Sequence, residues 1–431
     1  MEKVVLHQLN EHLEANNLLN VHQSAYRCNH STETALLRIE NDLLLSLDEN
    51  KISVLLLLDL SAAFDTLDHQ LLISCLEQSF GIRDSALLWF RSYLSDRSQF
   101  VLVQEHPSAP APLPFGVPQW SVLGPVLFVL YTTQLSTVIS RYPISHQMFA
   151  DDTQLHNSSF PDHIQTLIST LQDCLIDVKG WMQEHKLKLN EDKTEAVLFT
   201  SSHSSSHHIL PSSIQLGSAA IPFSDKVRDL GFYLDSELSM KHHIKMTCQT
   251  AYTEIRRISS IRHFLTIDAT KTLVTSCILS RLDYCNALLT GCPSTVIQPL
   301  QTVQNAAARL IFKSKKRQPC TPLLKALHWL PVEQRIKYKT CCLCFKIVSG
   351  IGPHYLSELL TVYTPSRSLR SSADTRLLKV ERFNRKQHGA RSFRCSAPPL
   401  WNSLPFSLRH STSLTSFRQN LKTYLYTEHY G

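Results

Sequence analysis

One apolar run, Ile52–Leu58, constrains the fold of this chain more than any other stretch. Its length and its polar lead-in favour a buried central strand over a helix. Asp59 follows at once, and a buried carboxylate without a partner costs free energy, which a bound metal cation would compensate. Helix capping is the alternative role for an acid here. Asp65 or Asp68 suits that role before the helix predicted from His69 to Phe80, but Asp59 lies on the strand side.

A second acidic feature lies at residues 149–152, which read Phe-Ala-Asp-Asp. The apolar lead-in from Ile144 to Ala150 and the residues that follow predict a β-hairpin with Asp151 and Asp152 at its tip. Adjacent carboxylates repel each other, and a divalent cation would supply the missing positive charge. A solvated Asp-Asp turn is the alternative, and this stretch alone does not decide between the two.

The two acidic features suggest a function when they are considered together. If the hairpin pairs beside the strand that ends at Asp59, all three carboxylates meet at one sheet edge. Such a set can hold two Mg²⁺ ions about 3.5–4 Å apart and support in-line phosphoryl transfer. Oxygen ligands of this kind suit Mg²⁺. Lys193 is placed to protonate a leaving pyrophosphate, and Arg27 to neutralise a triphosphate.

Composition limits the class of protein. A chain of 431 residues holds roughly two or three domains, and 43% hydrophobic residues indicate a globular protein. The twelve cysteines lack a framework spacing and no signal peptide is visible, which predicts reduced thiols in an intracellular protein of the cytoplasm or nucleus, not a secreted one. The longest apolar run falls far short of the roughly 20 residues of a membrane helix, so no membrane partner is expected.

Charge is unevenly distributed. Residues 309–431 contain 22 Lys and Arg against 5 Asp and Glu, whereas the preceding residues carry an excess of acids. This asymmetry predicts a polyanionic partner, such as nucleic acid, for the C-terminal part. A basic surface that only aids solubility is the alternative. Phe393 and Trp401 lie among these basic residues and would either stack on bases or pack in a core.

Periodicity predicts an α+β chain whose second part is mostly helical. Helices are expected from Thr34 to Leu47, with Ser31 or Thr32 as the cap, and over 84–94, up to about 139, 162–185, 242–265, 269–289, 296–312, 329–349 and 414–426. A strand is expected over 98–104. Residues 214–221 and 227–234 are predicted to form one hairpin together.

Several of these stretches resemble the reverse transcriptases of LINE-like non-LTR retrotransposons. The similar motifs occur in the family's order: Leu58-Asp59-Leu60-Ser61-Ala62-Ala63-Phe64-Asp65, Gly116-Val117-Pro118-Gln119 with Ser121-Val122-Leu123-Gly124-Pro125, Phe149-Ala150-Asp151-Asp152, Leu189-Asn190 with Lys193-Thr194-Glu195, and Leu230-Gly231-Phe232-Tyr233-Leu234. Phrases further on, such as Ala397-Pro398-Pro399-Leu400-Trp401-Asn402, are also similar to this family. The resemblance covers nearly the whole chain.

The resemblance implies a right-hand polymerase, with an α+β palm and fingers, an α-helical thumb and a basic helical C-terminal region. The implied division is fingers and palm over 1–235, thumb over 236–312 and a nucleic-acid-binding region over 313–431. It implies RNA-directed DNA polymerisation with two Mg²⁺ ions, or Mn²⁺ in their place, on an RNA template with a DNA primer or target and dNTPs. The implied metal ligands are Asp59, Asp151 and Asp152, with help from the Leu60 carbonyl. Phe64 would exclude a ribose 2′-hydroxyl, and Gln119 would contact the incoming nucleotide or the template.

The chain also departs from the family pattern. Trp120 stands where the family usually has Gly, and an indole would crowd a place where backbone approaches substrate. The fingers motifs expected before residue 1 are missing, which predicts an N-terminally truncated copy. The alternative function is therefore a catalytically inactive remnant that only binds RNA or DNA. A metal-dependent nuclease, which also uses clustered acids, ranks below both.

Overall fold

A computed structural model of the chain describes residues 1–61, 63–118, 121–201, 210–217, 219–365 and 376–431. Within them the chain forms two units. Unit 1 contains Met1–His30, Ser53–Leu198 and His207–Ser224, and unit 2 contains Ser31–Ile52, Phe199–Ser206 and Asp225–Gly431. The division at residues 235 and 312 stays a prediction.

The helices, in chain order, are α1 (Glu2–Ala15), α2 (Thr32–Asp48), α3 (His69–Gln78), α4 (Asp84–Leu94), α5 (Gly124–Ile139), α6 (Ile164–Glu184), α7 (Lys241–Ile261), α8 (Ile267–Val274), α9 (Ser280–Asp283), α10 (Ser294–Phe312), α11 (Thr321–Ala326), α12 (Val332–Val348), α13 (His354–Ser357), α14 (Phe393–Asn402), α15 (Phe406–Arg409) and α16 (Leu414–Tyr430). A π-helical segment, Thr275–Leu279, joins α8 to α9.

The strands are β1 (Ile52–Leu58), β2 (Leu60–Ser61), β3 (Ser98–Gln99), β4 (Leu102–Val103), β5 (His106–Pro107), β6 (Ala111–Pro112), β7 (Ser145–Phe149), β8 (Asp152–Ser159), β9 (Lys188–Leu189), β10 (Glu195–Phe199), β11 (Ser213–Leu216), β12 (Ala219–Pro222), β13 (Lys226–Asp229) and β14 (Phe232–Asp235). The mixture of helices and sheet confirms the predicted α+β class.

The main sheet of unit 1 has the strand order β10-β1-β8-β7. β1 therefore lies inside the sheet, and all its side chains are buried except that of Leu57, which is partly exposed. The prediction of a buried central strand over this apolar run is confirmed. β7 and β8 form an antiparallel hairpin in which Phe149 lies opposite Asp152, as the Phe-Ala-Asp-Asp sequence predicted. Helices α5 and α6 pack together, and α6 also contacts β8.

Local signals identified the caps of two predicted helices correctly. The Ser31 side chain accepts a hydrogen bond from the Thr34 backbone N–H at the start of α2. Asp68 caps α3 by accepting from the N–H groups of Gln70 and Leu71. Each cap satisfies donors that have no partner inside the helix, which is why short polar side chains mark these positions in the sequence.

The predicted pairing of 214–221 with 227–234 is wrong, because each stretch belongs to a hairpin of its own. β11 pairs with β12 in unit 1, and β13 pairs with β14 in unit 2. Gly217 in the first turn and Leu230-Gly231 in the second have positive φ, which lets the chain reverse within two residues. The strand predicted over 98–104 is also wrong as one element, since β3 and β4 are separate and pair with β6 and β5.

Unit 2 is built mainly from helices, with α7 packed on α10 and α12 packed on both α14 and α16. Phe345, Trp401 and Phe417 form an aromatic cluster in its core, and the rings of Phe345 and Phe417 stack with centroids 4.4 Å apart. Phe393 is also buried. Phe393 and Trp401 are therefore core residues, so of the two roles that the sequence left open the structure supports packing in a core and not stacking on bases.

Two further structural findings concern the cysteines and the possibility of a membrane helix. All twelve cysteines are free thiols. Among the helices of the described residues, none is both long enough and apolar enough to cross a membrane.

A buried histidine is expected to make unit 1 sensitive to acid. His146 on β7 has its Nε2 2.7 Å from the Ser136 hydroxyl, and burial, followed by the charges of His22 and His156, lowers its pKa from 6.5 to about 3. The unfolded chain therefore binds a proton that the folded chain rejects, so stability is lost as pH falls below about 6.5. We expect His146→Gln to reduce this loss by up to about 1.4 kcal/mol per pH unit.

Urea unfolding of the wild-type and His146→Gln chains at about pH 7 and about pH 5 measures the effect. Gln offers a polar group to Ser136 but does not titrate. If acid destabilises both chains equally, another group is responsible for the loss.

Candidate active site

The three predicted acids come together at strand ends of the main sheet. Asp59 directly follows β1, Asp152 begins the neighbouring strand β8, and Asp151 occupies the turn before it. The negative charge of Asp59 acts on both of the others and raises the pKa of each. The pairing of β1 and β8 thus brings together acidic residues that are far apart in the sequence.

Burial is the main reason that these carboxyl groups are perturbed. It raises the pKa of Asp152 to about 6, with further contributions from the charges of Asp151 and Asp59. Burial also raises the pKa of Asp151, although a backbone hydrogen bond partly opposes the change. Carboxyl groups with raised pKa values that lie close together are typical of functional sites.

Asp59 has an oxygen that the fold does not satisfy. Its Oδ2 is buried and makes no hydrogen bond within the described part of the chain. The Lys193 ammonium lies 3.8 Å from this atom, and its side chain is 69% exposed, so the ion pair is weak. A buried carboxylate oxygen in this state is suited to binding a cation.

Backbone pairing brings Lys193 to the acids. β2 pairs antiparallel with β9, so that Leu60 lies opposite Leu189. Just beyond this pair, the Asn190 N–H donates to the Asp59 carbonyl at 2.8 Å, and the Asn190 carbonyl accepts from the Lys193 N–H at 3.3 Å. The turn that carries Lys193 is therefore fixed to the residue whose carboxylate it faces.

Gln23 holds the acidic hairpin in position, and the sequence analysis missed it. Its Oε1 accepts from the Ala150 N–H at 3.0 Å, and its Nε2 donates to the Ala150 carbonyl at 3.3 Å. Ala150 has a φ of +58°, which is unfavourable for a residue with a side chain, and this pair of hydrogen bonds holds it there. Gln23 is buried, but a glutamine in a polar loop carries no sequence signal for such a role.

The loop around Gln23 also contains Arg27 and Tyr26. The Arg27 Nη1 donates to the carbonyl oxygens of Asn20, at 2.6 Å, and Gln23, at 3.2 Å, so this side chain braces the loop. Burial raises the pKa of Tyr26, and the charge of Asp151 raises it further. Tyr26 is thus a neighbour of the acids that sequence reasoning did not single out, while the role of Arg27 toward a triphosphate stays a prediction.

Two of the family-like motifs pack against each other at Gly116. The Gly116 N–H donates to the Leu67 carbonyl, and the Val117 N–H donates to the Phe64 carbonyl. Gly116 has a φ of +81°, and a Cβ there would lie 2.9 Å from the Asp65 carbonyl oxygen. Only glycine fits this contact.

Phe64 is half-buried, with its ring centroid 4.6 Å from that of Phe128. Its predicted role as a steric gate stays a prediction. Gln119 and Trp120 lie outside the described residues.

The acids match the ligand chemistry of a metal site, but they are not arranged as a complete one. Among the described residues, no group of three or more His, Cys, Asp and Glu side chains is arranged as a ready metal site. Mg²⁺, however, is commonly bound by one or two carboxylates and completed by water and substrate oxygens. Three carboxylates, one with an unsatisfied buried oxygen, match that chemistry.

Comparison with known proteins decides the family. The family profile described as "Reverse transcriptase (RNA-dependent DNA polymerase)" matches residues 1–234. This chain belongs to the reverse transcriptase family. Members of the family use divalent metal ions. The matched range includes Asp59, Asp151, Asp152 and Lys193, so the residues that the fold brings together all lie in its reverse transcriptase domain.

The relatives of this reverse transcriptase include mobile-element proteins. It is 26% identical over 351 residues to the probable RNA-directed DNA polymerase from transposon BS of Drosophila melanogaster, covering 79% of the chain and 38% of that protein. It is 26% identical over 264 residues to the RNA-directed DNA polymerase from mobile element jockey of the same species, covering 60% and 28%. The chain thus spans at most 38% of the length of these two relatives. Among solved structures, apo telomerase from Candida tropicalis is 12% identical, with a TM-score of 0.44 over 81% of this chain and 59% of that one.

Proposed function

We propose that this chain is the RNA-directed DNA polymerase of a non-LTR retrotransposon and that Asp59, Asp151 and Asp152 form its catalytic centre. The observation that carries the proposal is the convergence of these carboxylates at the ends of β1 and β8, with burial raising the pKa of two of them. An arrangement that crowds negative charge in a half-buried place is costly unless a cation compensates it.

In this proposal the three carboxylates hold two Mg²⁺ ions, for which Mn²⁺ is a substitute. When bound, the ions would supply Lewis-acid activation of a primer 3′-hydroxyl and positive charge opposite the triphosphate of the incoming nucleotide. Gln23 fixes the turn from which Asp151 projects, so the carboxylate needs little reorganisation. Lys193 faces Asp59 from an exposed position and donates a proton to the pyrophosphate that leaves.

The substrates are an RNA template, a DNA primer or target, and dNTPs, and the protein works in the cytoplasm or nucleus, where these occur. Phe64 excludes a ribose 2′-hydroxyl, the Leu60 carbonyl assists the metal ligands, and Arg27 and Gln119 contact the nucleotide. The excess of Lys and Arg over residues 309–431 supports binding of nucleic acid through phosphate contacts, which salt would weaken.

Primer extension tests the proposal. With a DNA primer annealed to an RNA template, dNTPs and Mg²⁺, the purified chain is expected to extend the primer, and a chelator is expected to stop extension. Ribonucleotides in place of dNTPs are expected to give little product. Cleavage of the template without added nucleotide would instead indicate a nuclease.

If the wild-type chain extends no primer, one more variant must be tested. Trp120→Gly removes the indole at the position where the family usually has Gly. If this variant also extends no primer but both chains bind RNA in a salt-dependent way, the polymerase proposal fails. The chain then acts only as a nucleic-acid-binding protein.

A further inference from the structure

A cavity in unit 2 combines basic side chains with unsatisfied polar atoms. It has a volume of about 600 Å³. Arg391 forms part of its lining, together with His388, Lys386 and Lys241, and Glu237 is the one acidic residue that lines it among the described residues. A cavity of this size accommodates a group as large as a nucleotide.

Arg391 is the buried cation of this cavity. Its side chain is 8% exposed, and its Nη1 donates to the Gln387 carbonyl at 3.3 Å. Its Nε and Nη2 make no hydrogen bond of normal geometry to any part of the chain that the structure describes, and the Cys292 thiol, which lies beside the guanidinium, has a pKa that burial raises, so it offers no negative charge. Because a guanidinium keeps its charge at all ordinary pH values, leaving two of its donors without partners in a buried place is costly.

The acids near Arg391 do not remove this cost. Glu40 is fully buried, and burial raises its pKa to about 8 despite the attraction of Arg391, so it is mostly protonated at neutral pH. Asp48 is also buried, but its carboxylate accepts the backbone N–H groups of Asn384, Arg385 and Gly389. Glu237 is exposed at the surface. The guanidinium therefore lacks an anionic partner among the described residues.

The segment that carries Arg391 is held by the fold itself. The three hydrogen bonds to Asp48 fix residues 384–389 to the end of α2. Gly291 lies against Arg391, where a Cβ would be 3.2 Å from the Arg391 Cα. His388 Nδ1 is another buried atom without a hydrogen-bond partner in the described chain. A site with this much support is arranged before any ligand arrives.

We propose that this cavity binds the phosphate group of a nucleotide unit, with Arg391 as its anchor. The two free donors, Nε and Nη2, lie on one edge of the guanidinium, which is the edge that forms paired hydrogen bonds with phosphate oxygens. A carboxylate would also fit that edge, but Lys241 and Lys386 add two positive charges at the exposed part of the cavity and favour a more highly charged anion. The proposal does not depend on catalysis by unit 1.

Binding of inorganic phosphate to the full chain, measured by calorimetry at constant ionic strength, tests the site. We expect Arg391→Gln to weaken binding by roughly tenfold or more, since two charge-assisted hydrogen bonds are lost. Arg391→Lys is expected to retain part of the affinity, because it keeps the charge without the paired geometry. Asp151→Asn is expected to bind phosphate as the wild type does, which separates this proposal from the polymerase function.

A second pair of variants covers the case in which Arg391→Gln does not fold. Lys241 and Lys386 are exposed, so the double variant Lys241→Ala, Lys386→Ala keeps the core and is expected to weaken phosphate binding severalfold. Lys422→Ala removes an exposed lysine of α16 outside the cavity and is expected to change nothing. Equal phosphate binding by the double variant and Lys422→Ala overturns the proposal, as does a wild-type chain that binds no phosphate.

Two oligonucleotide probes identify the source of the phosphate. A short DNA strand with a 5′-phosphate is compared with the same strand without it. If the phosphate adds affinity in the wild type but not in Arg391→Gln, the site receives a nucleic-acid end. If a mononucleotide competes with inorganic phosphate and the 5′-phosphate adds nothing, the site receives a free nucleotide. Competition by neither probe contradicts a nucleotide ligand.

Discussion

Asp151→Asn is expected to lower Mg²⁺-dependent primer extension by about a thousandfold or more. Asn has the shape of Asp but carries no charge, so it cannot balance a divalent ion in the same way. Asp151 stands in the turn between β7 and β8, where the Gln23 side chain fixes the preceding residue. The substitution therefore changes the charge of the site while the turn keeps its geometry.

The same substitution is expected to leave the chain at least as stable as the wild type. Burial raises the pKa of Asp151, which means that the folded chain holds its ionised form at a cost in free energy. A neutral amide avoids that cost. Loss of activity together with equal or higher stability is the pattern of a residue kept for function, because a structural residue would lose both.

Asp96→Asn is the matched control. Asp96 is an exposed residue between α4 and β3 with a φ of +53°, a conformation that Asn adopts easily. Single-turnover extension gives the activity of both variants, and denaturant unfolding gives their stability. Extension by Asp151→Asn at a rate near that of Asp96→Asn would show that the acidic cluster is not the catalytic centre.

Sequence patterns located the elements of this site but not the contacts between them. β1 was predicted over its full length because an apolar run with a polar lead-in is a local signal. The acidic hairpin and the caps at Ser31 and Asp68 are local in the same sense. The hydrogen bonds of Gln23 to Ala150 join residues 127 positions apart, and no periodicity records such a contact.

The wrong predictions have a related cause. Apolar residues recur throughout 214–221, which suggests a single strand, but Ile214 and Leu216 occupy even positions whereas Ile221 occupies an odd one, and this small shift is a weak sign of the turn at Gly217. For Phe393 and Trp401 the basic stretch around them left a surface role and a core role open, and α14 turns both into the core of unit 2. Charge along the sequence is an average over exposed and buried faces, so it does not tell which side chains reach solvent.

Substitution of Gly389 is also expected to have a large effect, in this case on stability. A Cβ at Gly389 would lie 2.5 Å from the Asp48 Cγ and Oδ2 atoms, a separation that real contacts do not show. The Asp48 carboxylate is buried and already accepts three backbone N–H groups, so it has nowhere to move without losing them. We expect Gly389→Ala to destabilise unit 2 by about 2–4 kcal/mol, through overpacking and through the hydrogen bonds that break.

Gly180→Ala is expected to stabilise the protein, in contrast to Gly389→Ala. Gly180 lies inside α6, and a Cβ there would meet no atom within 4 Å. Alanine should stabilise unit 1 by about 0.5–1 kcal/mol, because it restricts the unfolded chain and favours the helix. Hydrogen exchange read by mass spectrometry reports on peptides of each unit separately, so the two effects can be assigned to their own parts of the chain.

Asp48→Ala shows whether the clash is the cause. This variant leaves three backbone N–H groups without their acceptor, so it is expected to be destabilised by itself. It also removes the atoms that an alanine at position 389 would meet. Gly389→Ala should therefore cost much less in the Asp48→Ala background than in the wild type, since the two residues share one contact. Costs that simply add would mean that glycine is required at position 389 for a reason other than the approach of Asp48.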